Sequence, residues 1–236
     1  MDLGTLITVA REDYLDDVDY GGAYSYRFSD EAITRYLNQA HIEAAIRSKL
    51  LFDDSTETVC RVTLVGGTAS YSTHSGILQV VRVTLNGAPL EHASEGYLDA
   101  EYPGWRTQDS GSPLFFVTTP GRITLYPAPA EAGTLHLSVY RKPLVILEDE
   151  TDEPEIPEAL HQDLCLWVKY RLLSKPDEDT WRKEEAVQAL MEFESIFGRA
   201  VPAAVRRHEQ ESPKVFQMYV GRAYSDHPTQ AQADDW

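Results

Sequence analysis

The sequence predicts an α+β fold: a helical bundle of three to four helices, interrupted by an inserted antiparallel β-sandwich or barrel and followed by an extended C-terminal arm. Apolar residues recur at helical spacing near both ends of the 236-residue chain. In the middle, apolar and polar residues alternate with the two-residue period of strands. No period persists after Gly198, where prolines punctuate the chain. We therefore expect a helical domain made of 1–55 and 148–198, an inserted β domain at 56–147, and an arm at 199–236.

Two helices are predicted before the β domain. The first lies within residues 1–17 and is expected to stop at Gly21-Gly22. The second begins after Ser29, whose hydroxyl can accept a hydrogen bond from a free backbone N–H group, and extends to about Lys49. Its apolar face consists of Ile33, Leu37, Ala40 and Ala44.

Several short strands are predicted between residues 56 and 146. Residues 59–65 alternate, and Gly66-Gly67 supplies the backbone freedom of a tight turn. Residues 77–85 end at Asn86-Gly87, a pair that favours a type I′ hairpin turn because both positions need positive φ. Three further strands are expected at 114–117, 121–126 and 134–140.

Helices return after a solvated acidic connector at 148–153. This run lacks the spacing of a calcium-binding loop. A third helix opens at Ile156-Pro157-Glu158, with proline at its tolerated first position, and breaks at 174–177. A fourth runs from about Glu178 to Phe197 and stops at Gly198. Its apolar stripe is predicted to be Trp181, Val187, Leu190, Phe193 and Phe197.

The charge balance argues against a protein that grips nucleic acid. The chain holds 38 Asp and Glu against 21 Lys and Arg, a formal net charge of −17. Gripping a duplex requires clustered cations that replace phosphate counterions, so any contact with DNA is expected to be repulsive or transient. The alternative is that the acidic balance serves only to keep the protein soluble.

No pattern of catalytic, cofactor-binding or metal-binding residues is present. The two cysteines, Cys60 in an apparent strand and Cys165 in an apparent helix, have no metal-ligand spacing, and reduced thiols in a cytosolic setting are expected. The seven histidines are scattered, and the glycine patterns of phosphate-binding loops do not occur. No run is apolar enough for a membrane span or an export signal, so we expect neither insertion nor export.

The loop around Trp105 is the one place that suggests an alternative function. Its aromatic side chains would form a stacking platform in a carbohydrate-binding or other recognition module: Tyr97, Tyr102 and Trp105. Its carboxylates would be the acid and base of a glycosidase, a weaker alternative: Asp99, Glu101 and Asp109. A β-domain loop whose aromatic residues pack locally is the simpler interpretation.

The arm differs in charge from the rest of the chain. Between residues 199 and 222 it holds five cations against two anions, which suits a partner with an acidic face. The arm also contains apolar residues, which are uncommon in a tail that stays fully solvated. We therefore expect the arm to become ordered when it binds a partner. The residues expected to make this contact are Arg206, Arg207, Phe216, Tyr219 and Arg222.

Several short phrases in the helical and β segments form a recognisable succession. The phrases are Arg27-Phe28-Ser29-Asp30-Glu31 with Tyr36-Leu37-Asn38-Gln39-Ala40, Pro103-Gly104-Trp105-Arg106, Tyr126-Pro127-Ala128-Pro129, Ala132-Gly133-Thr134-Leu135, Ile156-Pro157-Glu158-Ala159-Leu160-His161, and the stretch from Tyr170 to Asp179. Taken in this order, they resemble the tailed-phage head-to-tail adaptor proteins of the tail-tubular-protein-A kind. The likeness covers roughly residues 1–198, without the arm.

This resemblance implies a structural protein of the virion neck, assembled in the host cytoplasm, with no catalytic residues. It implies a homo-oligomeric ring, a dodecamer, between the phage portal protein and the tail nozzle or tail tube protein. DNA would pass through the ring without being held, which an acidic lining favours because it repels phosphates. The arm is then the candidate for the contact with the portal or a neighbouring subunit.

Overall fold

The computed structural model describes residues 1–17, 26–175 and 182–211, except the side chains of residues 209 and 210. These residues form an α+β fold, which confirms the predicted class. The helices are α1 (Leu3–Val9), α2 (Asp30–Ser48), α3 (Glu57–Cys60), α4 (Glu95–Glu101), α5 (Leu164–Leu173), α6 (Lys183–Phe197) and α7 (Ala203–Glu211). The strands are β1 (Phe52–Asp53), β2 (Arg61–Leu64), β3 (Ser70–Ser72), β4 (Ile77–Leu85), β5 (Ala88–Pro89), β6 (Glu91–His92), β7 (Phe115–Thr119), β8 (Arg122–Tyr126) and β9 (Gly133–Arg141).

One apolar core joins α1, α2, α5 and α6. Aromatic rings dominate its centre: Phe193 and Phe197 of α6 lie 4.6 Å apart between ring centroids, and Trp167 of α5 lies 5.1 Å from Phe193. Leu51 and Leu147, which flank the sheet segment in sequence, are buried in the same core. The chain therefore leaves and re-enters the helical layer through buried anchor residues.

The strands form two sheets that pack face to face. The first has the order β1-β9-β4-β5, with β2 also pairing with β9, and the second has the order β3-β8-β7-β6. Val83 and Leu137 of the first sheet lie in one buried cluster with Phe116 and Ile123 of the second. The described strands do not close into a barrel, so of the two predicted forms the sandwich is the one observed.

One strand pair departs from the antiparallel prediction. β6 pairs with β7 in parallel, whereas the other pairs are antiparallel. Parallel neighbours need a crossover connection, and α4 lies in the connection between these two strands. The sequence prediction missed α4, although Ser94 caps it: the Ser94 hydroxyl accepts a hydrogen bond from the backbone N–H of Tyr97 at 3.1 Å.

Several predicted chain features are confirmed. The Ser29 hydroxyl accepts the backbone N–H of Ala32 at the start of α2, and α2 ends at Ser48 with Lys49 in the left-handed region (φ 49°). β4 ends at Leu85, and the two residues that follow, Asn86 and Gly87, both have positive φ (51° and 83°), as a type I′ hairpin turn requires.

The first and third helices differ from their predicted limits. α1 continues as π-helix over Ala10–Leu15 and ends at Asp16 (φ 50°), before Gly21-Gly22, which lies outside the described residues. The third predicted helix is divided: Glu158–Leu160 forms a 3-10 turn, and α5 begins only at Leu164. The first turn is closed by bonds between residues three apart: the N–H of Leu160 donates to the carbonyl of Pro157 at 2.9 Å, and that of His161 to Glu158 at 3.1 Å. The Nε2 of His161 lies 2.8 Å from the carbonyl oxygen of Ile156.

The fourth helix and the first predicted strand also need correction. α6 begins at Lys183, and Trp181 lies outside the described residues. Val187 is exposed, because the buried face of α6 is formed by Ala186, Ala189, Phe193 and Phe197, and Val187 projects to one side of that face. Cys60 ends the short helix α3 and is not in a strand.

The acidic connector and the start of the arm are more ordered than predicted. The backbone carbonyls of Glu150 and Asp152 accept hydrogen bonds from Gly4 and Leu3 at the start of α1, at 2.9 and 2.8 Å. The arm is helical over Ala203–Glu211 and not extended, because Pro202 starts a turn there: its carbonyl accepts the N–H groups of two residues of α7.

Candidate functional site

The part of the chain that the structure describes contains no cluster of three or more potential metal ligands. None of its described helices has the length and apolar character needed to span a membrane. Both cysteines are buried, and burial raises the pKa of the Cys60 thiol to about 11 and that of Cys165 to about 12. Neither thiol is therefore ionised near neutral pH, as a nucleophile would need to be.

The aromatic residues around Trp105 form a small core. Trp105 is only 6% exposed, and its ring centroid lies 5.8 Å from that of Tyr126. Tyr102 packs against the same tyrosine at 5.3 Å, while Tyr97 is half exposed at the edge. The indole Nε1 donates to Asp99 Oδ1 at 2.8 Å. Because its ring is covered, Trp105 offers no open face on which a sugar could stack.

The carboxylates of this loop do not have the properties of an acid and base pair. Hydrogen bonds from Trp105 and then from Arg106 lower the pKa of Asp99, whereas a general acid of a glycosidase needs a raised pKa. Glu101 and Asp109 are exposed. Asp99 therefore acts as a structural acceptor that ties the indole of Trp105 to α4.

A polar network joins the sheets to the helical layer. Arg141, at the end of β9, is nearly buried; its Nε donates to Asp53 Oδ2 and its Nη1 to Glu155 Oε2, both at 2.6 Å. Asp53 also accepts the N–H groups of Ser55 and Thr56 at 3.0 Å. These bonds fix the point at which the chain passes between the two layers.

The network holds its carboxylates ionised. Burial opposes the ionisation of Asp53, but the hydrogen bonds from Thr56, Arg141 and Ser55 outweigh it and hold the pKa well below its usual value. The pKa of Glu155 is also lowered: burial is again outweighed by bonds from Val145, Arg141 and Leu144.

His41 of α2 contacts the same network from the helical side. Its Nε2 accepts the backbone N–H of Glu155 at 3.0 Å, which requires the ring to be neutral at that nitrogen. Burial, the largest cause, lowers the pKa of His41 to about 4. His41 is thus a buried histidine whose neutral ring supports the backbone at Glu155.

A loop of exposed apolar residues follows β9. Leu144, Val145 and Ile146 are 39%, 46% and 66% exposed. Glu155 Oε1 accepts the N–H groups of Leu144 and Val145, the latter at 2.8 Å. Leu147, the next residue, is buried. Its N–H donates to the side-chain oxygen of Asn38 of α2, and its carbonyl accepts from the side-chain nitrogen of Asn38, both at 2.9 Å. This apolar loop, residues 144–146, is therefore held in one conformation.

Of the five predicted contact residues, two lie in the described part of the arm. Arg206 and Arg207 are exposed on α7. Arg206 lines a groove of about 230 Å³ between the end of α2, the start of β4 and the segment after α6, and Arg207 pairs with Glu211 at 2.8 Å. The other three lie outside the described residues: Phe216, Tyr219 and Arg222.

The model of one protein family, described as SU10 adaptor protein, matches residues 1–216. This chain belongs to the SU10 adaptor protein family. The SU10 adaptors are a family of phage head–tail adaptors, which agrees with the resemblance noted in the sequence. No curated protein sequence matches the chain.

Membership makes this SU10 adaptor a structural component of the virion neck that contacts other virion proteins. An adaptor acts through the surfaces that contact its neighbours. Sequence patterns predicted one candidate surface of this chain and missed another. The basic residues of α7 were visible as a charge excess. The apolar loop was missed because residues 144–146 fell at the end of the segment predicted as the β domain; the acidic run directly after them was the available signal.

Proposed function

We propose that this adaptor assembles as a ring, a dodecamer, between the portal and the tail nozzle or tail tube protein. The observation that carries the proposal is the family match over residues 1–216, since the family joins phage heads to tails. A closed ring needs one contact repeated from subunit to subunit, with two different faces on each copy. A helical domain of 1–55 and 148–198 with an inserted β domain of 56–147 supplies faces of different character.

We also propose that DNA passes through this ring without being held. Duplex DNA carries about one negative charge per 1.7 Å of axis, so an acidic lining repels it while a cationic lining would bind it. The net charge of −17 supports an acidic lining. A lining composed mainly of Lys and Arg in the assembled ring would contradict this part of the proposal.

The C-terminal arm is the proposed contact with the portal. Phe216 and Tyr219 are suited to act as apolar anchors, with Arg222 pairing with carboxylates on the portal and Arg206 and Arg207 contributing nearer the adaptor body. Assembly is expected in the host cytoplasm.

Electron microscopy of the adaptor mixed with the portal protein of the same phage tests this function. We expect side views to show an additional ring layer on the portal, and end views to show its symmetry. A chain ending at Gly198 is the matched control, because it keeps both helical segments and the β domain but lacks the arm; it should not form the layer. Portals that stay bare beside monomeric full-length adaptor would refute the proposal.

A further inference from the structure

The apolar loop, residues 144–146, is an ordered apolar surface. Isolated exposed apolar side chains are common on proteins, but the three side chains of this loop are consecutive and all exposed. Hydrogen bonds to Glu155 and Asn38 hold the backbone of residues 144–147. A loop that is already ordered loses little conformational freedom when another segment docks on it, so its apolar area contributes more fully to affinity.

Charge adjoins this loop on one side. Glu148, Asp149 and Glu150 follow it directly in sequence and are exposed. The loop and these carboxylates together form one surface, residues 144–150, which is apolar at one end and acidic at the other. The segment that complements it must carry apolar side chains beside cations.

The distal part of the arm has this composition. Residues 214–222 read Lys-Val-Phe-Gln-Met-Tyr-Val-Gly-Arg, so five apolar side chains lie between two cations. We call these residues the apolar segment of the arm. Covering its aromatic and aliphatic side chains removes apolar area from water, which is favourable in proportion to that area.

The apolar loop and the start of the arm lie at the same end of β4. The N–H of Lys142 donates to the carbonyl of Gly76, directly before β4, at 2.8 Å, and Leu144 lies beside Gly76. Val201 and Arg206 line a groove together with the first residues of β4. The arm therefore begins on the same side of the β domain as the loop.

The apolar segment is tethered close to the loop of its own copy. α7 contacts β4 and β7 of its own chain, and its nine residues are only about 14 Å long. Residues 212–214 span at most about 10 Å when extended. A short tether gives an effective concentration of about millimolar, so the loop of the same copy is favoured over that of another copy.

We infer that the apolar segment of the arm docks on the surface 144–150 of the same copy before the adaptor meets its partners. Phe216 and Tyr219 cover the apolar loop, and Lys214 and Arg222 pair with the carboxylates beside it. The portal must then displace the segment to gain its two aromatic anchors. This last consequence rests on the proposed function; the docking itself does not.

Intramolecular cross-linking tests the docking without the portal. A full chain with Glu148→Cys and Gln217→Cys keeps every apolar residue of both surfaces, and the native cysteines are buried. After treatment of dilute protein with a short bis-maleimide, we expect mass spectrometry to find positions 148 and 217 linked within one chain. Arg82→Cys, exposed on β4, replaces Glu148→Cys as the control and should give little link to position 217.

Three outcomes of the cross-linking would overturn the docking. Absence of the link between positions 148 and 217 would show that the segment does not lie on this surface. A link found only between two chains would assign the surface to the arm of another copy. Equal linking to Arg82→Cys would show an arm without a fixed site on the body.

Portal affinity tests the displacement. Val145→Ser with Ile146→Ser alters side chains that are 46% and 66% exposed, so the melting temperature should stay near that of the wild type. We expect the Kd for immobilised portal to fall at least about threefold, because the fraction of copies with a free arm rises. Val187→Ser with Met191→Ser, an exposed apolar pair on α6, is the matched control and should leave the Kd unchanged.

The affinity results separate the docking from the proposed function. An unchanged Kd in the loop variant would show that the loop does not compete for the arm, and a higher Kd would assign the loop to the portal; either result overturns the displacement. A wild-type adaptor that does not bind the portal would refute the proposed function, while the cross-link still decides whether the segment docks.

Discussion

Arg141 and Glu155 share a hydrogen bond of 2.6 Å between Nη1 and Oε2, and through it the last strand of the sheets is tied to the connector that leads back to the helices. The other carboxylate oxygen of Glu155 accepts the N–H groups of Leu144 and Val145 in the apolar loop. The backbone N–H of Glu155 donates to His41 of α2. One glutamate therefore contacts both layers and the apolar loop of residues 144–146. The relative position of these parts depends on it.

Arg141→Met should destabilise the protein strongly. The change leaves the carboxylates of Asp53 and Glu155 poorly solvated and without their shared cation, and breaking such a pair lowers the free energy of unfolding by about 3 kcal/mol. Urea unfolding followed by tryptophan fluorescence measures the loss. Arg82→Met, at an exposed position, should change stability by less than about 0.5 kcal/mol. Equal effects of the two variants would contradict the role of the network.

Stability should fall as the pH drops from about 6.5 towards 4. The folded pKa of His41 is about 4 against an ordinary value of 6.5, so within this window the unfolded chain binds the proton that the folded chain excludes. His92, whose pKa burial also lowers to about 4, acts in the same direction. Each histidine lowers the free energy of unfolding by at most about 1.4 kcal/mol for each pH unit of acidification in this window.

His41→Gln isolates this contribution. The glutamine oxygen can still accept the N–H of Glu155, but the side chain does not titrate. We expect the variant to lose less stability than the wild type between about pH 6.5 and 5, and the double variant with His92→Gln to lose less again. Urea midpoints at each pH give the slopes. An unchanged slope in His41→Gln would show that His41 binds its proton equally in the folded and the unfolded chain, and would contradict this contribution.

Trp105→Ala should impair folding and not ligand binding. The ring fills the small core beside Tyr126, and removing a buried tryptophan costs about 3–5 kcal/mol. The melting temperature should fall markedly, whereas Tyr97→Ala, at the half-exposed edge, should lower it less. A glycan array should be blank for both the wild type and the variants. Sugar binding that Trp105→Ala abolishes at unchanged stability would favour the recognition module instead.

The sequence predicted local structure better than contacts between distant segments. The cap at Ser29 and the hairpin at Asn86-Gly87 are set by neighbouring residues, so the pattern was sufficient. Val187 was predicted to lie in the buried stripe of α6, because apolar spacing alone does not show that the buried face includes Ala186 and Ala189 in its place.

For the candidate surfaces, too, local patterns were predicted from the sequence and contacts between distant residues were not. Arg206 and Arg207 were visible as a local charge excess, although Pro202 was not recognised as the start of a helix. The backbone of the apolar loop is held at the surface by hydrogen bonds to Glu155 and, at Leu147, to Asn38. That arrangement depends on side chains far apart in sequence, and no local pattern contains it.

The distal arm should contribute to portal affinity through its two aromatic residues. Phe216→Ala with Tyr219→Ala in the full chain should weaken binding to the portal at least about tenfold, because each anchor of this type contributes more than about 1 kcal/mol. Gln217→Ala, between them in sequence, is the matched control and should bind like the wild type. Affinity is measured by surface plasmon resonance on immobilised portal.

The salt dependence of portal binding distinguishes the contribution of the aromatic residues of the arm from that of its cations. Contacts through aromatic anchors should survive added salt, whereas the pairs proposed for Arg206 and Arg207 are screened over about 8 Å at physiological ionic strength and over about 3 Å at 1 M salt. We expect high salt to leave residual portal binding in the wild type but none in Phe216→Ala with Tyr219→Ala. If that double variant binds like the wild type at every salt concentration, the aromatic residues are not the portal anchors, and the cationic part of the arm carries the contact.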